Sequence, residues 1–114
     1  GLSVAYDEEL ADRVRVVLAD EPSLTERKMF GGLAFMIGGN MACGIVKDEL
    51  MLRLGAEGAD AALDEPHVRE MDFTGRPMTG LVYVERAGLD DAGVRRWVER
   101  AAGFARALPP KAKT

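Results

Sequence analysis

The sequence predicts an α+β domain of two layers, in which an antiparallel sheet carries long N- and C-terminal helices on one face. The sheet is expected to be a four-stranded meander plus one or two further strands. Two patterns predict this class: apolar residues recur at helical spacing at both ends of the chain, and short apolar runs broken by glycines and charges fill residues 24–54. With 114 residues and 47% hydrophobic composition, the chain has room for a single core. Residues 1–114 are therefore taken as one domain, with 1–4 and 109–114 expected to be flexible.

The first helix is predicted over residues 7–19, where Leu10, Val14, Val17 and Leu18 share one face. Asp7 is placed to cap it, and the two glutamates that follow suit the positive end of the helix dipole.

The next segment predicts an antiparallel meander, because its connections are too short for parallel neighbours. Gly38-Gly39-Asn40 suits a tight hairpin that needs positive φ angles. The second and third strands are apolar on both faces, so the middle of the sheet should be covered on both sides or exposed on one side to a partner or ligand. The four strands are expected at Thr25–Phe30, Leu33–Ile37, Met41–Val46 and Leu50–Leu54.

The second half of the chain predicts a short helix over Glu57–Leu63, ended by Pro66. Residues 66–80 are irregular by composition, with one possible short strand at Glu70–Phe73, and Leu81–Glu85 is a clearer strand. The last helix is expected from Asp90 or Asp91 to Leu108, since its apolar residues form one stripe that stops at Pro109-Pro110.

Composition excludes several classes of function. A net charge of -4 and a pI near 5.0 disfavour a general electrostatic grip on nucleic acid or an anionic membrane. One cysteine and one histidine are too few for a typical zinc site, and the glycine pairs lack the spacing of a phosphate-binding loop, so no metal or cofactor is expected. The sequence has no apolar run long enough to span a membrane, and its N-terminus lacks the pattern of a signal peptide. The protein is therefore expected to be cytoplasmic.

Catalytic groups are scarce. Cys43 lies within an apolar strand, where a buried thiol behaves as a small hydrophobe, and His67 follows Pro66 in a turn. The acid pairs are explained by helix N-termini and by a hairpin turn. We therefore expect no catalytic residues and no enzymatic activity.

Three features leave a binding role open. Four of the six methionines lie in the predicted meander, where methionine either fills gaps in a core, which we favour, or lines a surface for varied apolar partners. Bases gather on the last helix, as expected for a solvated face and also compatible with weak nucleic-acid contact. Lys28, Arg53 and Arg76 are the candidate ligand- or partner-binding residues, although for Arg53 and Arg76 we favour a structural ion pair with an acid such as Asp72 over contact with an anionic ligand.

Several segments resemble one known family. They are Tyr6-Asp7-Glu8-Glu9-Leu10, Lys28-Met29-Phe30-Gly31-Gly32-Leu33-Ala34-Phe35, Gly39-Asn40-Met41, Pro66-His67-Val68-Arg69 and Met71-Asp72-Phe73-Thr74-Gly75-Arg76-Pro77-Met78. Together they are similar to the N-terminal domain family of the TfoX/Sxy competence regulators, over residues 5–108, and suggest a stand-alone member. The resemblance implies a compact α+β domain linked to transcriptional control of DNA uptake in bacteria, with no established catalytic site.

The sequence thus favours a non-enzymatic module that docks a protein partner. An uncovered sheet face would favour a homodimer. The alternatives are a sensor for a small anionic ligand and a weak nucleic-acid binder through the last helix.

Overall fold

The structure is a computed structural model that describes residues 6–29, 31–73 and 76–110, with the side chains of 71–78 left aside. The elements in chain order are α1 (Glu8–Val17), β1 (Leu24–Met29), β2 (Gly32–Ile37), β3 (Asn40–Val46), β4 (Glu49–Arg53), α2 (Gly55–Leu63), β5 (Val68–Phe73), β6 (Arg76–Val84), a 3-10 turn (Arg86–Gly88) and α3 (Asp91–Ala107). The predicted α+β class is confirmed. Phe30, expected to end the first strand, lies outside the described residues.

The six strands form one antiparallel sheet in the order β1-β2-β3-β4-β6-β5. Its first four strands are the expected meander. The possible strand at Glu70–Phe73 is present as part of β5, but the expectation that the rest of residues 66–80 is irregular was wrong, because β5 and β6 form a hairpin there. Pro77 has no backbone N–H to donate to a neighbouring strand. It is tolerated because β4 pairs with Leu81–Val84 of β6, so Pro77 lies in a part of β6 that does not pair with β4.

Local capping explains where the two long helices begin. The Asp7 side chain accepts hydrogen bonds from the backbone N–H groups of Glu9 at 2.9 Å and Leu10 at 3.1 Å. Asp90 accepts from the N–H of Gly93 at 2.7 Å and caps α3 in the same way. In the described residues, none of the helices has the length and apolar composition needed to cross a membrane.

All three helices pack on one face of the sheet, called here the helix face. Phe35 and Trp97 are the largest side chains of its core, and both are essentially inaccessible to solvent. The described apolar residues of the four inner strands on this face are at most 4% exposed; they are Leu33, Phe35, Ile37, Ala42, Cys43, Ile45, Leu50, Leu52, Val82 and Val84. The helix face therefore holds the main hydrophobic core.

The Gly38-Gly39 hairpin has the predicted geometry, with φ angles of 59° and 80°. Asn40 follows it and is buried, and its side-chain amide donates a hydrogen bond to the carbonyl of Pro109 at 2.9 Å. This contact ties the segment after α3 to the β2–β3 turn, which satisfies a polar group that would otherwise be buried without a partner.

Candidate interaction surface

The two groups that could have formed a nucleophile and base are far apart. Cys43 pairs in register with Phe35 and Leu52 on the helix face, and burial raises the pKa of its thiol to about 12. His67 is exposed and precedes β5, three strands away across the sheet. The expected core role of Cys43 is confirmed, and the thiol is inert because it is both buried and protonated.

The acidic side chains near the starts of α1 and α3 line a cleft of about 400 Å³. Asp7 and Asp90 are occupied as helix caps, while Asp91 forms an ion pair with Arg13 at 3.0 Å. In the part of the chain that the structure describes, no group of three or more histidine, cysteine or acidic side chains is arranged to hold a metal ion. The cleft is accounted for by capping and ion pairing.

The three residues singled out from the sequence do not form one site. Lys28 shares a register row with Leu33, Ile45 and Leu50, which places it on the helix face at the β1 edge. Arg53 is three residues beyond Leu50 at the end of β4, which places it on the opposite face by register, but its guanidinium carbon lies 5.6 Å from the centroid of the Phe104 ring of α3, in the helix layer. The two strands are three spacings apart, about 14 Å. The side chain of Arg76 lies outside the described residues. A binding role for each of the three stays a prediction.

The face opposite the helices, called here the open face, carries one register row that crosses all six strands. In spatial order the row is Arg27, Ala34, Gly44, Met51, Tyr83 and Arg69. It has an arginine at each edge of the sheet and small, apolar or aromatic residues between them. No described helix packs on this side.

All four methionines of the meander project from the open face. Met36 pairs directly with Met41, Met51 pairs with Gly44, and Met29 follows Arg27 by two residues in β1. The preferred expectation that these methionines fill the core was wrong for the main core, which contains none of them. The sequence could not assign them because β2 and β3 are apolar on both sides.

A second, thin hydrophobic cluster covers the centre of the open face. Met51 is 6% exposed and Leu81 is 9% exposed, with Met41 and Tyr83 packed against them. The Met51 side chain lies over Gly44, where an added Cβ would be only 3.0 Å from the Met51 methyl carbon. The remaining apolar side chains of this face are half-buried: Met29, Met36, Met41, Val46 and Tyr83.

Arg69 organises the β5 edge of this surface. Its guanidinium carbon lies 4.5 Å from the centroid of the Tyr83 ring, a cation–π distance, and it also bridges Glu49 and Glu85. Burial raises the pKa of the Tyr83 hydroxyl. Arg69 and Tyr83 were missed from the sequence, because their segments had to be recognised as a hairpin before they could be placed opposite each other.

The arginines of α3 are engaged in ion pairs. Arg96 and Arg100 both bind Glu65, at 2.7 and 2.8 Å, and both stack on the Trp97 ring. Arg95 pairs with Glu99 at 3.8 Å, and Arg106 pairs with Glu21. These contacts balance much of the positive charge that suggested nucleic-acid contact by this helix.

Comparison with known proteins gives one match. A model of the TfoX N-terminal domain matches residues 17–105, from the end of α1 almost to the end of α3. No curated protein sequence matches the chain, and no solved structure does.

Proposed function

The chain belongs to the TfoX N-terminal domain family, and from this membership we propose that it is a competence-regulator-like module, cytoplasmic and non-enzymatic, that acts by binding a protein partner. The open face is the proposed binding surface.

The single observation that carries the proposal is the segregation of methionine. All four meander methionines lie on the open face, and three of them are half-buried. Methionine is flexible and polarisable, so it adapts to irregular apolar partners and is used often on binding surfaces. A monomer that needed these residues only for folding would be expected to place some of them against its helices.

The chemistry of the described residues supports a role without catalysis. Cys43 is buried and protonated, and His67 is exposed with its backbone at a φ of 68°. The four aspartates around the 400 Å³ cleft either cap helices or form ion pairs. The Arg53 guanidinium lies beside Phe104 of α3 and Lys28 faces the helix layer, so both are proposed only as edge contacts of the partner.

Affinity capture tests the proposal. The tagged protein is compared with a Met36→Asp/Met41→Asp variant, which places two charges on the open face, and with a Val16→Asp variant. Val16 is a suitable control because it is a hydrophobic residue that is 68% exposed and lies on α1, away from the open face. Circular dichroism first establishes that all three proteins are folded.

Quantitative mass spectrometry of material captured from a native lysate then compares the three. We expect at least one protein whose recovery falls roughly tenfold with the double variant and is unchanged with Val16→Asp, because burying unpaired carboxylates against an apolar partner is unfavourable. If no captured protein depends on Met36 and Met41, the open face is not the binding surface.

A further inference from the structure

We infer that Met36 and Met41 form an oxidation site, at which a hydroperoxide converts two neighbouring thioethers to sulfoxides while the domain stays folded. The inference concerns the chemistry of these side chains and requires no partner. Its consequence for partner binding rests on the proposed function.

The sulfur atoms of the described side chains differ in their access to solvent. They belong to four methionines and one cysteine. Cys43 is inaccessible and Met51 is 6% exposed, whereas Met29, Met36 and Met41 are half-buried. Oxidation of sulfur by peroxides follows exposure, so the half-buried methionines are the reactive group.

The register of β2 and β3 places two of these methionines side by side. Met36 lies directly opposite Met41, which puts their Cβ atoms about 5 Å apart. Both reach the open face because Ala42 is left unpaired at the register shift between the two strands. Met29 lies opposite Gly32 and has no methionine across its strand pair. Oxidation therefore creates two adjacent sulfoxides at Met36 and Met41, and a single one at Met29.

The buried sulfurs do not compete for the oxidant. Peroxides attack a thiolate, and Cys43 is fully buried and protonated at neutral pH. The Met51 methyl carbon lies against Gly44, only 3.0 Å from the position of an added Cβ. Reaction at either sulfur requires the sheet to open locally, which is rare in a folded domain.

The reaction at each thioether is a balanced two-electron oxidation. The sulfur lone pair attacks one oxygen of hydrogen peroxide, so that the S–O bond forms as the O–O bond breaks. The transferred oxygen loses its proton, the departing hydroxide is protonated to water, and the sulfur is oxidised as the peroxide is reduced. The sulfoxide is returned to the thioether by a reductase that supplies two electrons, so the modification is reversible.

The position of the pair lets the fold survive this change. The main core contains no described methionine, and Met41 packs only against the thin cluster of Met51 and Leu81. Both side chains of the pair keep contact with solvent, so a sulfoxide dipole there stays hydrated and avoids the cost of a buried polar group. Oxidation therefore makes the open face polar and leaves the helix face unchanged.

Site-resolved oxidation of the full chain tests the inference. The folded protein is treated with hydrogen peroxide for increasing times, free methionine stops the reaction, and peptide mass spectrometry gives the oxidised fraction at each sulfur. The same protein in urea is the reference, because unfolding makes the methionines equally accessible. We expect Met36 and Met41 to oxidise at least roughly tenfold faster than Met51 in the folded protein, and all three at similar rates in urea.

Circular dichroism of the oxidised protein should keep its helical signal. Three results would overturn the inference: oxidation of Met51 as fast as that of Met36 and Met41 in the folded protein, oxidation of Cys43 ahead of them, or loss of the helical signal as the sulfoxides form.

Lysate capture with oxidised protein tests the consequence for binding. A Met36→Leu/Met41→Leu variant keeps an apolar face that peroxide cannot modify at these positions, and Met29→Leu is the matched control at the unpaired methionine. We expect oxidation to lower partner recovery roughly tenfold for wild type and for Met29→Leu, and to leave Met36→Leu/Met41→Leu unaffected.

The two proposals fail in different ways. If oxidised wild type still recovers a protein that Met36→Asp/Met41→Asp loses, the open face binds a partner and oxidation does not control that binding. If no recovered protein depends on Met36 and Met41 in any form, the proposed function fails, while the site-resolved rates still decide the oxidation site.

Discussion

The two faces of the sheet are built from the same strands and differ in what covers them. On the helix face, the described apolar residues of the four inner strands are at most 4% exposed and belong to one core with the three helices. On the open face, Met51 and Leu81 pack against Met41 and Tyr83 with no described helix over them, and five further apolar residues are half-buried. The apolar character of β2 and β3 therefore has two causes: one face forms the main core, and the other is a thin apolar layer that we propose as a binding surface.

The largest expected effect concerns the reactivity of the Cys43 thiol on the helix face. Cys43 is fully buried on the helix face and its pKa is about 12, so a thiol reagent at pH 8 should react only through the unfolded state. We predict labelling of the native protein at least about a thousandfold slower than in denaturant, in line with the usual unfolded fraction. Stoichiometric labelling within minutes under native conditions would show that this face opens readily.

Two neighbouring residues allow a direct comparison of stability. Phe35 faces the helices and is fully buried, whereas Met36 faces the other way and is half-buried. Phe35→Ala is expected to lower the free energy of unfolding by about 3–5 kcal/mol, and Met36→Ala by about 1 kcal/mol. Urea denaturation measures both. Equal losses would mean that the open face contributes to folding as the helix face does.

One glycine of the sheet and one glycine of α3 differ in the space that they leave for a side chain. A Cβ at Gly32 would lie 2.2 Å from the backbone oxygen of Ile45, whereas one at Gly103 would meet nothing within 4 Å. Gly32→Ala should cost about 3 kcal/mol, since the sheet backbone must shift. Gly103→Ala, on the exposed side of α3, should instead stabilise by about 0.5–1 kcal/mol through helix propensity. Differential scanning calorimetry gives both signs, and a Gly32→Ala variant as stable as wild type would contradict this packing.

The smallest expected effect concerns the ion pairs of the helix layer. Arg100 and Arg96 hold the pKa of the Glu65 carboxyl below its usual value, so the folded state binds its proton less readily than the unfolded state. The stabilisation is present above the unfolded pKa of about 4.3 and is lost as pH falls through the lower folded value. Because the pair is partly exposed, we expect less than about 1 kcal/mol.

Comparing wild type with Glu65→Gln by urea denaturation between pH 7 and pH 3 isolates this contribution. The difference in unfolding free energy should be greatest near neutrality and shrink on acidification. A difference that is constant across this range would assign the effect to packing of the side chain and not to its charge.

The parts of the fold that depend on neighbouring residues could be predicted from the sequence. Asp7 and Asp90 cap helices through hydrogen bonds to residues two or three positions away, and Gly38-Gly39 adopts the positive φ angles of a tight hairpin. The four meander strands follow from short connections between apolar runs. Each of these features is local, so its signal lies within a few residues.

The open face could not be predicted in the same way. The assignment of Met36 and Met41 to one side depends on a register shift between Phe35 and Met36, which changes which residues of β3 face the helices. Tyr83 and Arg69 meet only because the segment with Pro77 and Gly80 forms a hairpin in spite of its composition. Register and face are properties of the assembled sheet, and in strands that are apolar on both sides no alternation of polarity specifies them.

The proposed binding role requires that the open face is accessible in solution. Methionine methyl NMR spectra, recorded with and without a soluble paramagnetic agent, measure this directly for each assigned methionine. We predict strong broadening of the Met29, Met36 and Met41 methyl signals and weak broadening of Met51, which is 6% exposed. Protection of all four signals would show that this face is already covered in the isolated protein, and would contradict its role as a binding surface.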